Sequence, residues 1–121
     1  MAFNHLVPML EVEDMDETIS FYEDILDFKC MDREGNQWAI MHKDDISIMF
    51  SERFFKEKHP NTVMTGSLYI NTDNVDVIWQ ILKDKVRVCY PIENFEYGMR
   101  EFSIFDCNGY RIQFGQELKI N

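Results

Sequence analysis

The sequence reads as an α+β chain of two tandem βαβββ modules forming a curved mixed sheet around a cavity. Three observations predict this. The order strand, helix, three strands occurs twice, and the two occurrences match at nearly constant spacing. The 121 residues, 45% of them hydrophobic, also suit one ordinary core-forming chain.

HLVPMLEVE (5–13) has the short apolar run of a strand and ends in an acidic turn. Asp14 or Asp16 can cap a helix to about Leu26, in which Ile19, Tyr22, Ile25 and Leu26 recur at helical spacing. FKCMDRE (28–34) is a strand closed by Gly35-Asn36; QWAIMHK and ISIMFSE are two more, separated by Asp44-Asp45. RFFKEKHPNT (53–62) is polar without a strand period, which places a linker at 53–66 between modules at about 5–52 and 67–117. SLYINT (67–72) is the next strand, VDVIWQILKDK (75–85) a helix, and VRVCY (86–90) a strand that runs into a loop through Pro91. MREFSIFD and YRIQFGQE close the order around Cys107-Asn108-Gly109, where Asn-Gly signals a hairpin.

An offset of 60 carries Val7 to Ser67, Leu10 to Ile70, Asp16 to Asp76 and Ile19 to Trp79. An offset of 64 carries Trp38 to Phe102, Ile40 to Ile104, Ile48 to Ile112 and Phe50 to Phe114, with no gap between 38 and 52. Identities are few, and two generic α+β halves would also give such a pattern. Paired sheets of this kind can curl around a shared cavity.

A net charge of −10 argues against nucleic acid or an anionic membrane as partner, since both would be repelled. The same charge favours a cationic ligand, although solubility alone also accounts for it. Cys30, Cys89 and Cys107 form no CxxC pair, and MAFNHLVPML lacks the pattern of a signal peptide, so a reducing cytoplasm is expected. No stretch approaches the roughly 18 apolar residues of a membrane span.

VPMLEVEDMDETISFYEDILDF, WAIMHKDDISIMFSE and YGMREFSIFDCNGYRIQFGQE together resemble the glyoxalase/bleomycin-resistance/extradiol-dioxygenase superfamily over roughly 5–117. Tyr97-Gly98 ahead of Arg100-Glu101-Phe102, then a hairpin and an aromatic last strand, is similar to its bleomycin-resistance branch. The resemblance implies two βαβββ modules, usually in a homodimer. Metal-dependent relatives place ligands on the first and last strands of each module, which here are Val7, Met49, Ser67 and Gln113. Val7 has no donor atom, Met49 offers a soft thioether, and Ser67 and Gln113 are neutral oxygens, a poor set for a divalent cation. No metal and no other cofactor are therefore expected. His5, His42 and His59 have no evident partner for general-base chemistry, so no catalytic residue is assigned. Glu11 is the one strand carboxylate that could point inward.

Without a metal, a cavity lined by aromatic and a few polar groups is the usual build of a small-molecule site. The resemblance places Trp38, Phe50, Ser51 and Tyr97 at ligand-contacting positions. Arg100 could orient a ligand. Three of them also have a structural reading: Trp38 and Phe50 as core, Arg100 as half of a surface pair with Glu101. The function expected is metal-free binding of a planar, cationic small molecule, of the antibiotic-resistance type. The alternative is a lyase, isomerase or thiol transferase of the same superfamily with an unrecognised site.

Overall fold

The computed structural model describes residues 1–53 and 60–119, and the chain divides into two units, Met1–Thr62 and Val63–Asn121. His59 and most of the polar stretch 53–62 lie outside the described residues. Among the described residues, no helix is long and apolar enough to cross a membrane.

In the first unit, β1 (Met9–Val12), α1 (Met15–Asp24), β2 (Lys29–Glu34), β3 (Trp38–Lys43) and β4 (Ile46–Glu52) follow the predicted order. Their sheet has the order β1-β4-β3-β2, with β1 parallel to β4 and the remaining pairs antiparallel. Asp14 caps α1 by accepting the Glu17 backbone N–H at 3.0 Å. Met15, Ile19 and Tyr22 form the buried stripe of the helix. Tyr22 is fully buried and meets Phe50 at 4.8 Å and Phe28 at 5.5 Å between ring centroids. The chain leaves the helix through Asp27 in the left-handed region (φ 62°), a conformation Asp tolerates better than most residues. Arg53, the first residue of the polar stretch, is no solvated linker residue. Its side chain is 2% exposed, pairs with Glu13, and donates to the carbonyls of Pro60 (3.1 Å) and Asn61 (3.3 Å).

The second unit repeats the order with β5 (Leu68–Asn71), α2 (Val75–Leu82), β6 (Arg87–Asn94), β7 (Met99–Phe105) and β8 (Arg111–Glu117). Its sheet runs β5-β8-β7-β6, again with the first pair parallel. Val75 and Leu82 anchor α2, and Trp79 packs on Phe102 at 5.0 Å. The Asn74 side chain makes no cap hydrogen bond; instead Gln116 on β8 accepts the Val75 N–H at 3.0 Å. β6 continues through Pro91, where the sequence reads as a loop. It can do so because β6 is the sheet edge, where a missing N–H leaves no ladder bond broken, and because its register shifts on both sides of Tyr90.

The strand registers correct the internal repeat. Trp38 pairs with Ser51, and Glu101 pairs with Gly115, so β4 maps to β8 at the expected 64 but β3 maps to β7 at 63. The extra residue lies in the Asp106–Tyr110 turn, which is longer than Asp44-Asp45 and includes Gly109 at φ 83°. The structural counterpart of Trp38 is therefore Glu101, not Phe102. A one-residue slip exchanges the two faces of a strand, so this decides which side chains leave the helix-packed core.

Candidate functional site

β7 alternates sharply. Phe102 and Ile104 are fully buried on the α2 side, whereas Glu101 and Ser103 point to the opposite face. Cross-strand pairing brings Gly115, Gln113 and Tyr90 onto that second face, and β5 adds Tyr69 beside Gln113. The turn between β6 and β7 supplies Tyr97, next to Gly98 at φ 88°, a position that favours glycine.

These side chains converge on the fully buried Glu101. Its Oε1 accepts from Tyr69 Oη at 2.9 Å and from Tyr97 Oη at 2.6 Å. Its Oε2 accepts from Tyr90 Oη and, at 3.3 Å, from Gln113 Nε2. Gln113 Nε2 also donates to Tyr90 Oη at 2.7 Å, and Ser67 Oγ donates to Gln113 Oε1. Burial opposes ionisation of Glu101, but three phenols and an amide donating to it outweigh burial and hold the carboxyl below its usual range. The phenols respond in the opposite sense. Burial, then the hydrogen bond to Glu101, pushes Tyr69 and Tyr90 up to about 12; Tyr97 is raised chiefly by its bond to Glu101.

Two features hold the rings in place. Tyr97 is 62% exposed, yet its ring stacks on Phe95 (5.4 Å, 14° between planes), and Phe95 meets Tyr90 edge-on at 5.6 Å. Tyr69 lies across the backbone of Gly115, where an added Cβ would sit 2.0 Å from Tyr69 Oη and 2.6 Å from its Cζ. Gly115→Ala is therefore expected to push the partly exposed Tyr69 ring outward and break its bond to Glu101. The expected loss is about 1 kcal/mol in urea denaturation, with Tyr69 ionisation returning toward its ordinary value of 10 in a tyrosinate absorbance titration.

Toward the β7–β8 turn the same unit has an opening of about 320 Å³ lined by Met64, Thr65, Gly66, Phe105, Gly109 and Arg111. Arg111 Nε is buried there without a hydrogen-bond partner among the described residues, and the Arg87 guanidinium lies 4.3 Å over the Phe105 ring.

The sequence-derived positions are distributed unevenly. Tyr97 belongs to the Glu101 cluster. Trp38 and Ser51 are cross-strand partners on the face of the first sheet turned away from α1, with Glu11 beside Ser51. Phe50 is not with them: it is fully buried on the α1 side against Tyr22, because adjacent strand residues point to opposite faces. Arg100 also sits opposite Glu101. Its guanidinium grips Asp76 of α2 at 2.8–3.1 Å and Asn94 at 2.9 Å, and holds the Asp76 carboxyl below its ordinary range. Neither Phe50 nor Arg100 reaches the face that carries the cluster or its counterpart.

His42 shares a hydrogen bond with Ser47 at 2.9 Å, and His5 is exposed. Among the described residues, no three His, Cys, Asp or Glu side chains gather as a metal would need. Of the four ligand positions implied by the resemblance, Ser67 and Gln113 are bonded to each other and Met49 pairs with Met9 in the β1–β4 ladder. This donor set does not fit a divalent cation.

Glu101, Tyr69 and Tyr90 are absent from the sequence-derived set. The signal available was the alternation in MREFSIF, where Glu101 and Ser103 interleave with Phe102 and Ile104.

A family model described as Glyoxalase/Bleomycin resistance protein/Dioxygenase superfamily matches residues 2–114. None of the curated proteins matches the chain. Among solved structures, the chain is similar to TnmS3, an antibiotic binding protein from Streptomyces sp. CB03234, with TM-score 0.76 and 23% identity over 97% of this chain and 98% of that one. It is similar to a bleomycin-binding protein solved in complex with bleomycin, with TM-score 0.76 and 19% identity over 95% and 99% of the two chains. A lactoylglutathione lyase from Agrobacterium tumefaciens shares the fold at TM-score 0.70 and 14% identity over 93% and 92%.

Proposed function

Since the chain belongs to the Glyoxalase/Bleomycin resistance protein/Dioxygenase superfamily, we propose that it is a metal-free binding protein that sequesters a planar, cationic small molecule. The observation that carries this reading is the Phe95–Tyr97 stack, whose exposed outer ring is held by Glu101. A flat cation laid on that ring gains stacking and cation–π attraction of about 1 kcal/mol. The buried carboxylate and the −10 net charge raise its local concentration. In the first unit, Trp38 and Ser51 are candidate ligand contacts on the corresponding sheet face. The bleomycin-binding protein and TnmS3 show that this fold is used to hold antibiotics, and a role in resistance, a homodimer and a cytoplasmic location belong to the same proposal.

Titration with bleomycin and with the planar cation proflavine, followed by calorimetry, tests it. Saturable binding is expected, weakened about five- to tenfold by Tyr97→Ala, as loss of one stacking ring implies. A flat response to both compounds would count against the reading, as would unchanged affinity in the variant. The Agrobacterium lactoylglutathione lyase has the same fold. An elemental assay finding about one Zn, Ni, Mn or Fe per chain, the one-site stoichiometry of a catalytic centre, would move this chain to that side.

A further inference from the structure

We propose that the second unit seats an N–H-bearing organic cation, an ammonium, amidinium or guanidinium group, on the paired phenol oxygens of Tyr69 and Tyr97, with Glu101 as the buried counter-charge. This rests on the binding reading above and adds the polarity of recognition to it.

The inference follows from counting protons. An ionised carboxylate only accepts, so every group bonded to Glu101 must donate. Tyr69, Tyr90 and Tyr97 each have one hydroxyl proton, and each spends it on Glu101. A phenol whose proton is committed inward presents only lone pairs outward. On Tyr90 that remaining capacity is taken by Gln113 Nε2 at 2.7 Å. On Tyr69 and Tyr97 no donor occupies it among the described residues, and their residues are 39% and 62% exposed. Both donate to the same oxygen, Oε1, so the two phenol oxygens flank one point of negative charge. No Arg or Lys pairs with Glu101 among the described residues. Arg111 on β8 is a cation whose charge is felt at Tyr90, yet it makes no ion pair with Glu101 among the described residues, so the charge of the carboxylate is carried outward by the phenols bonded to it.

The arrangement is built into the sheet. Gly115 leaves the space Tyr69 occupies, and Phe95 fixes the Tyr97 ring. A site made of acceptors backed by a carboxylate favours N–H donors and rejects carboxylates. It gives a quaternary ammonium only the cation–π part of the attraction.

Three matched probes separate these contributions: naphthylmethylammonium, its N,N,N-trimethyl counterpart and naphthylacetate, each titrated into the full chain by NMR. The primary ammonium is expected to bind about tenfold more tightly than the trimethyl compound, the scale of one charge-assisted hydrogen bond, and naphthylacetate is expected not to saturate. Tyr97→Phe keeps the ring and its stacking partner, and Gly115→Ala displaces Tyr69 without touching the helix-packed core. Each should shrink the ammonium preference to about twofold or less while leaving trimethyl affinity unchanged. Equal affinity of the two cations in the unaltered protein would overturn the N–H seat yet leave the binding reading standing. So would silence from all three probes while proflavine saturates. Tighter binding of naphthylacetate would reverse the polarity, and failure of every compound would sink both proposals.

Discussion

Replacing Glu101 with alanine is expected to lower stability by about 2–4 kcal/mol, because three phenols and an amide lose their common acceptor. The partly exposed Tyr69 and Tyr97 can turn to water, which keeps the loss below the sum of four buried bonds. Glu101→Gln, which retains one acceptor oxygen and the side-chain shape, should cost less. The same cluster sets two pH limits. Glu101 has a depressed folded value, so its stabilisation is present above the unfolded carboxylate range near 4.5 and is lost as pH falls through the lower folded value. Tyr69 and Tyr90 have raised values, so their contribution is complete below about 10 and is lost as pH rises toward about 12. Urea denaturation across pH checks the stabilities. Tyrosinate absorbance between pH 10 and 12 checks the phenols, which should ionise late in the native protein and closer to 10 in the glutamine variant. Ordinary tyrosine titration in the unaltered chain would contradict the network.

Phe50→Ala is expected to cost about 3–5 kcal/mol, the range for removing a fully buried aromatic side chain. Phe50 has no exposed surface and packs against Tyr22 across the α1–sheet interface. The adjacent Ser51→Ala should change stability by no more than about 1 kcal/mol, since it removes one hydroxyl from the opposite face. If the Phe50 variant kept its denaturation midpoint and lost ligand affinity instead, the ring would belong to a binding surface and the face assignment of β4 would be wrong.

These neighbours show how far the sequence carries. Element type and order were legible from periodicity: Ile19 and Tyr22 mark α1, and Asn108-Gly109 marks the last hairpin. Each depends on interactions within a few residues. Pro91 misled for a related reason, because local chemistry forbids it in a central strand but not on an edge, and edge position is a property of the assembled sheet.

The site was only partly legible. Tyr97, expected at a ligand position through its motif, lies in the Glu101 cluster. Glu101 was hidden by a gapless repeat that set Trp38 against Phe102, when one extra turn residue sets it against Glu101. Arg100 was assigned to a ligand because its charge was visible while Asp76, 24 residues earlier, was not evidently its partner.

What the sequence alone determined is the two-module βαβββ class and the absence of metal-ligand side chains at the four implied positions, since both are matters of residue identity and short-range pattern. Which strand face each side chain takes was decided by tertiary structure, because register is set by pairing between distant segments. The same holds for the gathering of Tyr69, Tyr90, Tyr97 and Gln113 on one carboxylate. Five segments contribute to it, counting the strand that carries Glu101, and only the sheet brings them within hydrogen-bond distance.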